Sequence, residues 1–195
     1  MRRITKRFLT AALFVGLAAV LFAARSEARD DAKKLEEGKP APNIDLPATQ
    51  VEKVLPDKKE AKSLSLKDLQ GKKNVILFFY PKAMTPGCTI ESCGFRDKVE
   101  KFAELDTVII GISTDNLEDQ QKFTDKEKLN FPLFADADKK VAKTFGVLNE
   151  RGFANRVSYV IDKKGVVRKI YSNVNATKHP EEVLIYVKEN LAEKK

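Results

Sequence analysis

Residues 75–80, Val-Ile-Leu-Phe-Phe-Tyr, form an unbroken apolar and aromatic run. A run of that length and composition fits a strand buried on both faces of a sheet. Pro81 and the pair Pro86-Gly87 then forbid regular structure across the next turn. Beyond them Phe95, Val99 and Phe102 recur at spacings of four and three, the period of an amphipathic helix. A second strand with apolar residues on both faces, 107–113, follows. Strand, helix and strand of this kind make a right-handed parallel crossover.

The remaining pattern extends this α/β arrangement. Residues 63–69 alternate before a turn at Gly71, 117–129 read as a helix, 131–134 as a short strand, and 139–145 as a short helix ending at Gly146. Residues 157–161 and 166–171 flank Asp162-Lys163-Lys164-Gly165, a hairpin signature. A last helix, 181–191, carries Val183, Leu184, Val187 and Leu191 on one face. Residues 49–62, rich in charge, read as a surface loop. The expected architecture is a central mixed sheet with helices on both faces, in one domain large enough for a proper core.

Both cysteines of the chain, Cys88 and Cys93, lie in the segment that follows the first buried strand. Cys88 falls in the first helical turn. The free N–H groups and dipole of a helix start favour an anion, and the thiolate, not the thiol, is the nucleophile. In a straight helix the two Cα atoms would stand ~9 Å apart, beyond the ~7 Å limit for a disulfide. Pairing them requires the first turns to unwind, and Gly94 makes unwinding easier. A crosslink enclosing so few residues would restrict the unfolded chain little, which argues against a static staple.

The run Pro81-x-x-x-Thr85-x-x-Cys88, with a second cysteine at Cys93, resembles the peroxiredoxins. The wording of residues 80–89, Tyr-Pro-Lys-Ala-Met-Thr-Pro-Gly-Cys-Thr, resembles the Q-type branch, also called bacterioferritin comigratory protein. The resemblance covers nearly all of residues 39–195 and implies a thioredoxin-like fold. It further implies a peroxidase that needs neither metal nor haem, works as a monomer or weak dimer, and is recycled by a thioredoxin-like dithiol reductant.

Carried onto this sequence, the resemblance makes Cys88 the peroxidatic nucleophile and Cys93 the resolving cysteine, joined in an intramolecular disulfide. It gives Thr85 a hydrogen bond to substrate and sulfur, with helix capping as its alternative role. Pro81 shields the pocket, and Gly87 lets the backbone approach the peroxide. An arginine from a distant strand belongs beside the sulfur; Asn155-Arg156-Val157 fits that pattern, with Arg151 as its rival. Glu91 and Arg96, in the same helix, fit either an ordinary surface pair, which their spacing favours, or a part of the site. His179, the single histidine, reads as structural or exposed.

At the N-terminus, Met-Arg-Arg-Ile-Thr-Lys-Arg precedes a largely apolar stretch, residues 8–24, and Ser26-Glu27-Ala28 offers a processing site. This reads as an export signal spanning 1–28, with an uncleaved membrane anchor as the rival, and residues 29–38 as a flexible leader. Removing 1–28 takes away five basic residues and one acid, lowering the formal charge from +8 to +4. The other lysines are scattered among acids, the pattern of a solvated surface and not of a nucleic-acid-binding face. Two further functions fit an exported dithiol: a thiol–disulfide oxidoreductase, for which Cys-x-x-Cys would be expected, and a redox-gated binding module that exposes Phe95 on oxidation.

Overall fold

The computed structural model describes residues 35–58 and 60–192. The expected export segment, 1–28, and the leader as far as residue 34 lie outside the described residues.

In chain order the elements are β1 (Asp45–Pro47), β2 (Ser63–Ser65), α1 (Leu66–Leu69), β3 (Asn74–Phe79), α2 (Pro86–Arg96), α3 (Val99–Ala103) and β4 (Thr107–Ser113). They continue with α4 (Leu117–Glu127), β5 (Leu133–Ala135), α5 (Lys140–Thr144), β6 (Val157–Ile161), β7 (Val167–Tyr171) and α6 (His179–Asn190). Five strands form the main sheet in the order β5-β4-β3-β6-β7, while β1 and β2 pair antiparallel as a separate ribbon. β3 runs parallel to β4 and antiparallel to β6, so the sheet is mixed about its central strand. The architecture is the expected thioredoxin-like α/β fold.

The apolar run at 75–80 is central because both of its faces are needed. Val75, Leu77 and Phe79 pack with Leu64, Ile110, Phe134, Phe145 and Tyr159 on one side of the sheet. Ile76, Phe78 and Tyr80 pack on the other with Phe95, Phe102, Phe123 and Val187. Period-two alternation delivers successive residues of one strand to two separate cores. Phe78 stacks on Phe95 with ring centroids 4.7 Å apart, which fixes α2 against the strand that precedes it.

Gly111 makes that stacking possible. A Cβ on this residue would stand 2.7 Å from Leu133 Cδ2 and 2.9 Å from Phe78 Cζ, closer than real contacts allow. The strand therefore carries a glycine where propensity alone disfavours one.

Two readings of the sequence need correction. Residues 49–62 are not merely a surface loop: they contain two 3-10 turns, Val51–Lys53 and Pro56–Lys58, and bury Thr49, Val51 and Leu55. Thr49 accepts a hydrogen bond from Leu133 N–H at 3.1 Å, and Ala48 bridges Phe134, so the segment covers the outer edge of β5. The periodic stretch Phe95, Val99, Phe102 is also two helices and not one, since the chain bends at Asp97 and Lys98 between α2 and α3.

Replacing Gly111 by Val forces Phe78 or Leu133 to move. The expected cost is about 2 kcal/mol, read as a lower urea midpoint at unchanged slope.

Candidate active site

The site forms at one end of β3, where the strand runs out into its proline-rich turn. Tyr80 extends the ladder by one bond, its N–H donating to Ile112 O at 3.0 Å, before Pro81 stops it. Asp115 holds the turn from below: one of its carboxylate oxygens accepts from Ala83 N–H at 2.8 Å and from the Ser113 hydroxyl at 2.7 Å. The Tyr80 hydroxyl donates to Gln120 Oε1, and Gln120 Nε2 donates to Ser113 Oγ and Phe134 O at 2.9 and 2.8 Å. Burial pushes the Tyr80 hydroxyl up and keeps it neutral.

Thr85 occupies the N-cap position of α2 with extended backbone angles, yet its side chain does not cap the helix. The hydroxyl donates instead to Lys82 O at 2.9 Å, inside the turn. Pro86 begins the helix, where its missing N–H removes no helical bond. Gly87 and Cys88 complete the first turn, so their N–H groups have no helical carbonyl to bond. Cys88 is 1% exposed.

The sheet register brings a cation to this turn. Phe79 pairs with Val157, so the residue before β6 lies at the same end of the sheet as the residue after β3. That residue is Arg156. Its Nη2 donates to Cys88 Sγ at 3.2 Å and its Nη1 to Glu91 Oε2. A Cβ on Gly87 would stand 3.4 Å from the same Nη2, so the guanidinium lies close over the first helical turn. Arg151 is exposed, with its N–H bonded to Asn149 Oδ1 at 3.0 Å, and Arg156 alone of the two contacts the sulfur.

Glu91 is fully buried, opposite to the reading that paired it with Arg96 on the surface. Burial pushes its carboxyl up to about 7 against the opposing pull of Arg156. Its other oxygen, Oε1, has no hydrogen-bond partner among the described residues. Arg96 turns elsewhere, to Asp97 and to the carbonyl of Glu127. The periodicity contained the signal for Glu91: Cys88, Glu91, Ser92 and Phe95 share one face of α2, and all four are buried.

Cys93 is partly exposed one turn and a half further along α2, and both cysteines are free. Its thiol donates to Glu127 Oε2 at 3.8 Å, a contact that sequence could not supply, since the partner is 34 residues away. Burial, with Glu127 and Asp97 acting in the same direction, pushes the Cys93 thiol up; Arg96 opposes them. Gly94, beside it, packs against α6: a Cβ there would meet Pro180 Cγ at 2.8 Å. This close approach is a physical reason for the glycine that its helix propensity did not reveal. His179 is fully buried behind the helix, its Nε2 2.8 Å from Ser158 Oγ and its ring edge-on to Phe95.

A buried sulfur at a helix start, faced by a guanidinium that is itself paired to a buried carboxylate, is suited to nucleophilic attack on an electrophile that leaves as an anion. Residues 38–170 match the AhpC/TSA family. The chain belongs to that family. It is 38% identical over 143 residues to peroxiredoxin Bcp of Escherichia coli, an alignment covering 70% of this chain and 90% of the relative. Identity to peroxiredoxin Bcp of Bacillus subtilis is 39% over 162 residues, covering 80% and 96%. The crystal structure of peroxidoxin BcpB from Mycobacterium tuberculosis superposes with a TM-score of 0.70 at 32% identity, covering 80% of this chain and 98% of that one. The chain is a peroxiredoxin of the Bcp, or Q, group and a thiol peroxidase. Of the three functions open from sequence, the peroxidase stands.

Two buried groups set opposite pH trends behind this site. Burial, reinforced by Arg156, holds His179 down to about 4, so the fold loses stability as pH falls from about 6.5 to about 4. Glu91, pushed up to about 7, makes the fold lose stability as pH rises from its ordinary carboxylate range towards 7. Replacing His179 by Asn removes only the first trend. The stability deficit of that variant against the parent should therefore shrink by roughly 2–3 kcal/mol as pH drops from about 6.5 to about 4, in urea titrations at each pH. A deficit that stays constant would contradict a neutral buried imidazole.

Proposed function

We propose that this thiol peroxidase acts through Cys88 as peroxidatic nucleophile and Cys93 as resolving thiol, on hydrogen peroxide and organic hydroperoxides. The observation that carries the assignment is the Arg156 guanidinium 3.2 Å from Cys88 Sγ, at the open end of α2. A fixed positive charge there favours the anionic sulfur and stabilises the negative oxygen that departs.

In the first step the Cys88 thiolate attacks one oxygen of the peroxide. An S–O bond forms, the O–O bond breaks, and the departing oxygen takes a proton and leaves as water or an alcohol. Sulfur is oxidised by two electrons to sulfenic acid and the peroxide is reduced by the same two. Thr85, whose proton is engaged by the Lys82 carbonyl, offers its oxygen as acceptor to the peroxide hydroxyl. The first-turn N–H of Gly87 faces the oxygen that becomes negative. Pro81 closes the pocket to water.

In the second step Cys93 condenses with the sulfenic acid. Water leaves and the 88–93 disulfide forms. A thioredoxin-like dithiol partner then returns both thiols, completing the cycle without metal or haem. The basic, then apolar N-terminus supports export, with residues 1–28 removed after Ala28 and the enzyme working outside the cytoplasm. Among the described residues no helix is long and apolar enough to cross a membrane, so the N-terminal segment would make any tether.

Replacing Arg156 by Met should slow oxidation of Cys88 by hydrogen peroxide at least tenfold, measured by stopped flow at neutral pH. An unchanged rate removes Arg156 from the mechanism. After one equivalent of peroxide, mass spectrometry of the parent chain should find the 88–93 crosslink, and a Cys93→Ser variant should accumulate sulfenic acid on Cys88. A lasting sulfenic acid on the parent would instead exclude Cys93 as the resolving thiol.

A further inference from the structure

The segment that carries Cys93 is tied to the end of α4 and the turn after it by three contacts. The Cys93 thiol donates to Glu127 Oε2 at 3.8 Å, Arg96 Nη1 donates to Glu127 O at 2.6 Å, and Asn130 Nδ2 donates to Arg96 O at 3.3 Å. Glu127 is the last residue of α4, and its other carboxylate oxygen faces Lys126 Nζ at 3.9 Å. One of the three contacts is made by the reacting sulfur itself. On the opposite side, Gly94 is seated against Pro180 of α6.

We propose that Glu127 is a positioning residue for the resolving step: its carboxylate latches Cys93 into the folded α2 as a neutral thiol, and resolution begins when that latch opens. This rests on the reading of Cys93 as the resolving cysteine. Disulfide formation requires the Cys93 sulfur to lose its proton and attack the Cys88 sulfur. The S–S bond forms, the S–O bond of the sulfenic acid breaks, and the departing hydroxide takes up a proton to leave as water. The Cys93 sulfur is oxidised and the Cys88 sulfur reduced. A carboxylate held against the thiol opposes the first event, because it disfavours a second negative charge beside it. It opposes the movement as well, because the helix must unwind to bring the sulfurs within bonding distance and the S–H contact must be given up. Both effects act in one direction. The latch slows resolution and lengthens the life of the sulfenic acid, which exposes Cys88 to a second peroxide and to sulfinic acid.

The test uses the mature chain, with one equivalent of hydrogen peroxide followed by stopped flow, so that oxidation of Cys88 and formation of the disulfide appear as separate phases. In Glu127→Ala the second phase should quicken by about threefold or more, and the fraction of sulfinic acid after excess peroxide should fall. Glu127→Gln keeps an acceptor oxygen but not the charge, and should quicken the same phase by a smaller factor. In a Cys88→Ser background, alkylation of Cys93 by iodoacetamide at pH 7 should rise in Glu127→Gln, which loses the charge but keeps the volume of the side chain, as well as in Glu127→Ala; loosened packing of α4 alone would raise it only in the second. If the second phase in both variants is equal to or slower than in the parent, the latch is overturned; a slower phase would make Glu127 a base that assists Cys93. Unchanged alkylation in both variants also overturns it. If the parent forms no 88–93 crosslink at all, the resolving role of Cys93 fails and the latch with it, whereas a normal crosslink with unaltered kinetics strikes the latch alone.

Discussion

The contact between the Arg156 guanidinium and the Cys88 sulfur is what the rest of the site is built to keep. A charged group half out of water is costly unless its partners are fixed, and here they are fixed from two directions. Glu91 meets the same guanidinium from within α2, one turn beyond the sulfur, and is itself wholly buried. The arginine in turn is set at the margin of β6, whose pairing with β3 is a ladder of five residue pairs. The cation therefore has little freedom to swing away, and the sulfur is held at a helix start where an anion is favoured. A reaction that develops negative charge on a departing oxygen finds its donors already in place, which is the condition for electrostatic catalysis without large rearrangement.

Beneath that contact lies a layer of polar groups sealed between α2, α6 and the sheet. Glu91, Ser92, Ser158 and His179 are all buried, and their hydrogen bonds are incomplete: Glu91 Oε1, Ser92 Oγ and His179 Nδ1 have no hydrogen-bond partner among the described residues. Such a layer stabilises the fold less than an apolar one of equal volume would. Aromatic packing does the opposite work around it. Phe78, Phe95 and Phe102 anchor the C-terminal end of α2 to the sheet and to α3.

What could be read from sequence was what depends on neighbours along the chain. The run at 75–80, the proline turn, the helix start at Cys88 and the 162–165 hairpin are each specified by a few consecutive residues, and each lies where expected. Arg156 was reachable only through family resemblance, because a spacing of 68 residues has no local signature. Residues 49–62 were misread because their composition is charged, although Thr49, Val51 and Leu55 are buried. The surface reading of Glu91, favoured over a place in the site, failed for the same reason: a carboxylate on an inward helix face contradicts the usual preference, and only the distant guanidinium explains it. Glu127, Asp115 and the Tyr80–Gln120 pair are long-range partners with no pattern of their own.

The position of Arg156 one residue ahead of a paired strand has an evolutionary corollary. Its location is inherited from the hydrogen-bond ladder of the sheet and owes little to the path taken by the ten residues before it. Within that path Val147 and Ala154 are buried in the core, so it is the intervening turn, 149–153, that can be rebuilt, shortened or given new surface chemistry while the chemistry at sulfur is preserved. Diversification of partners and tolerance of length change can then proceed on one side of this arginine without disturbing what it does on the other.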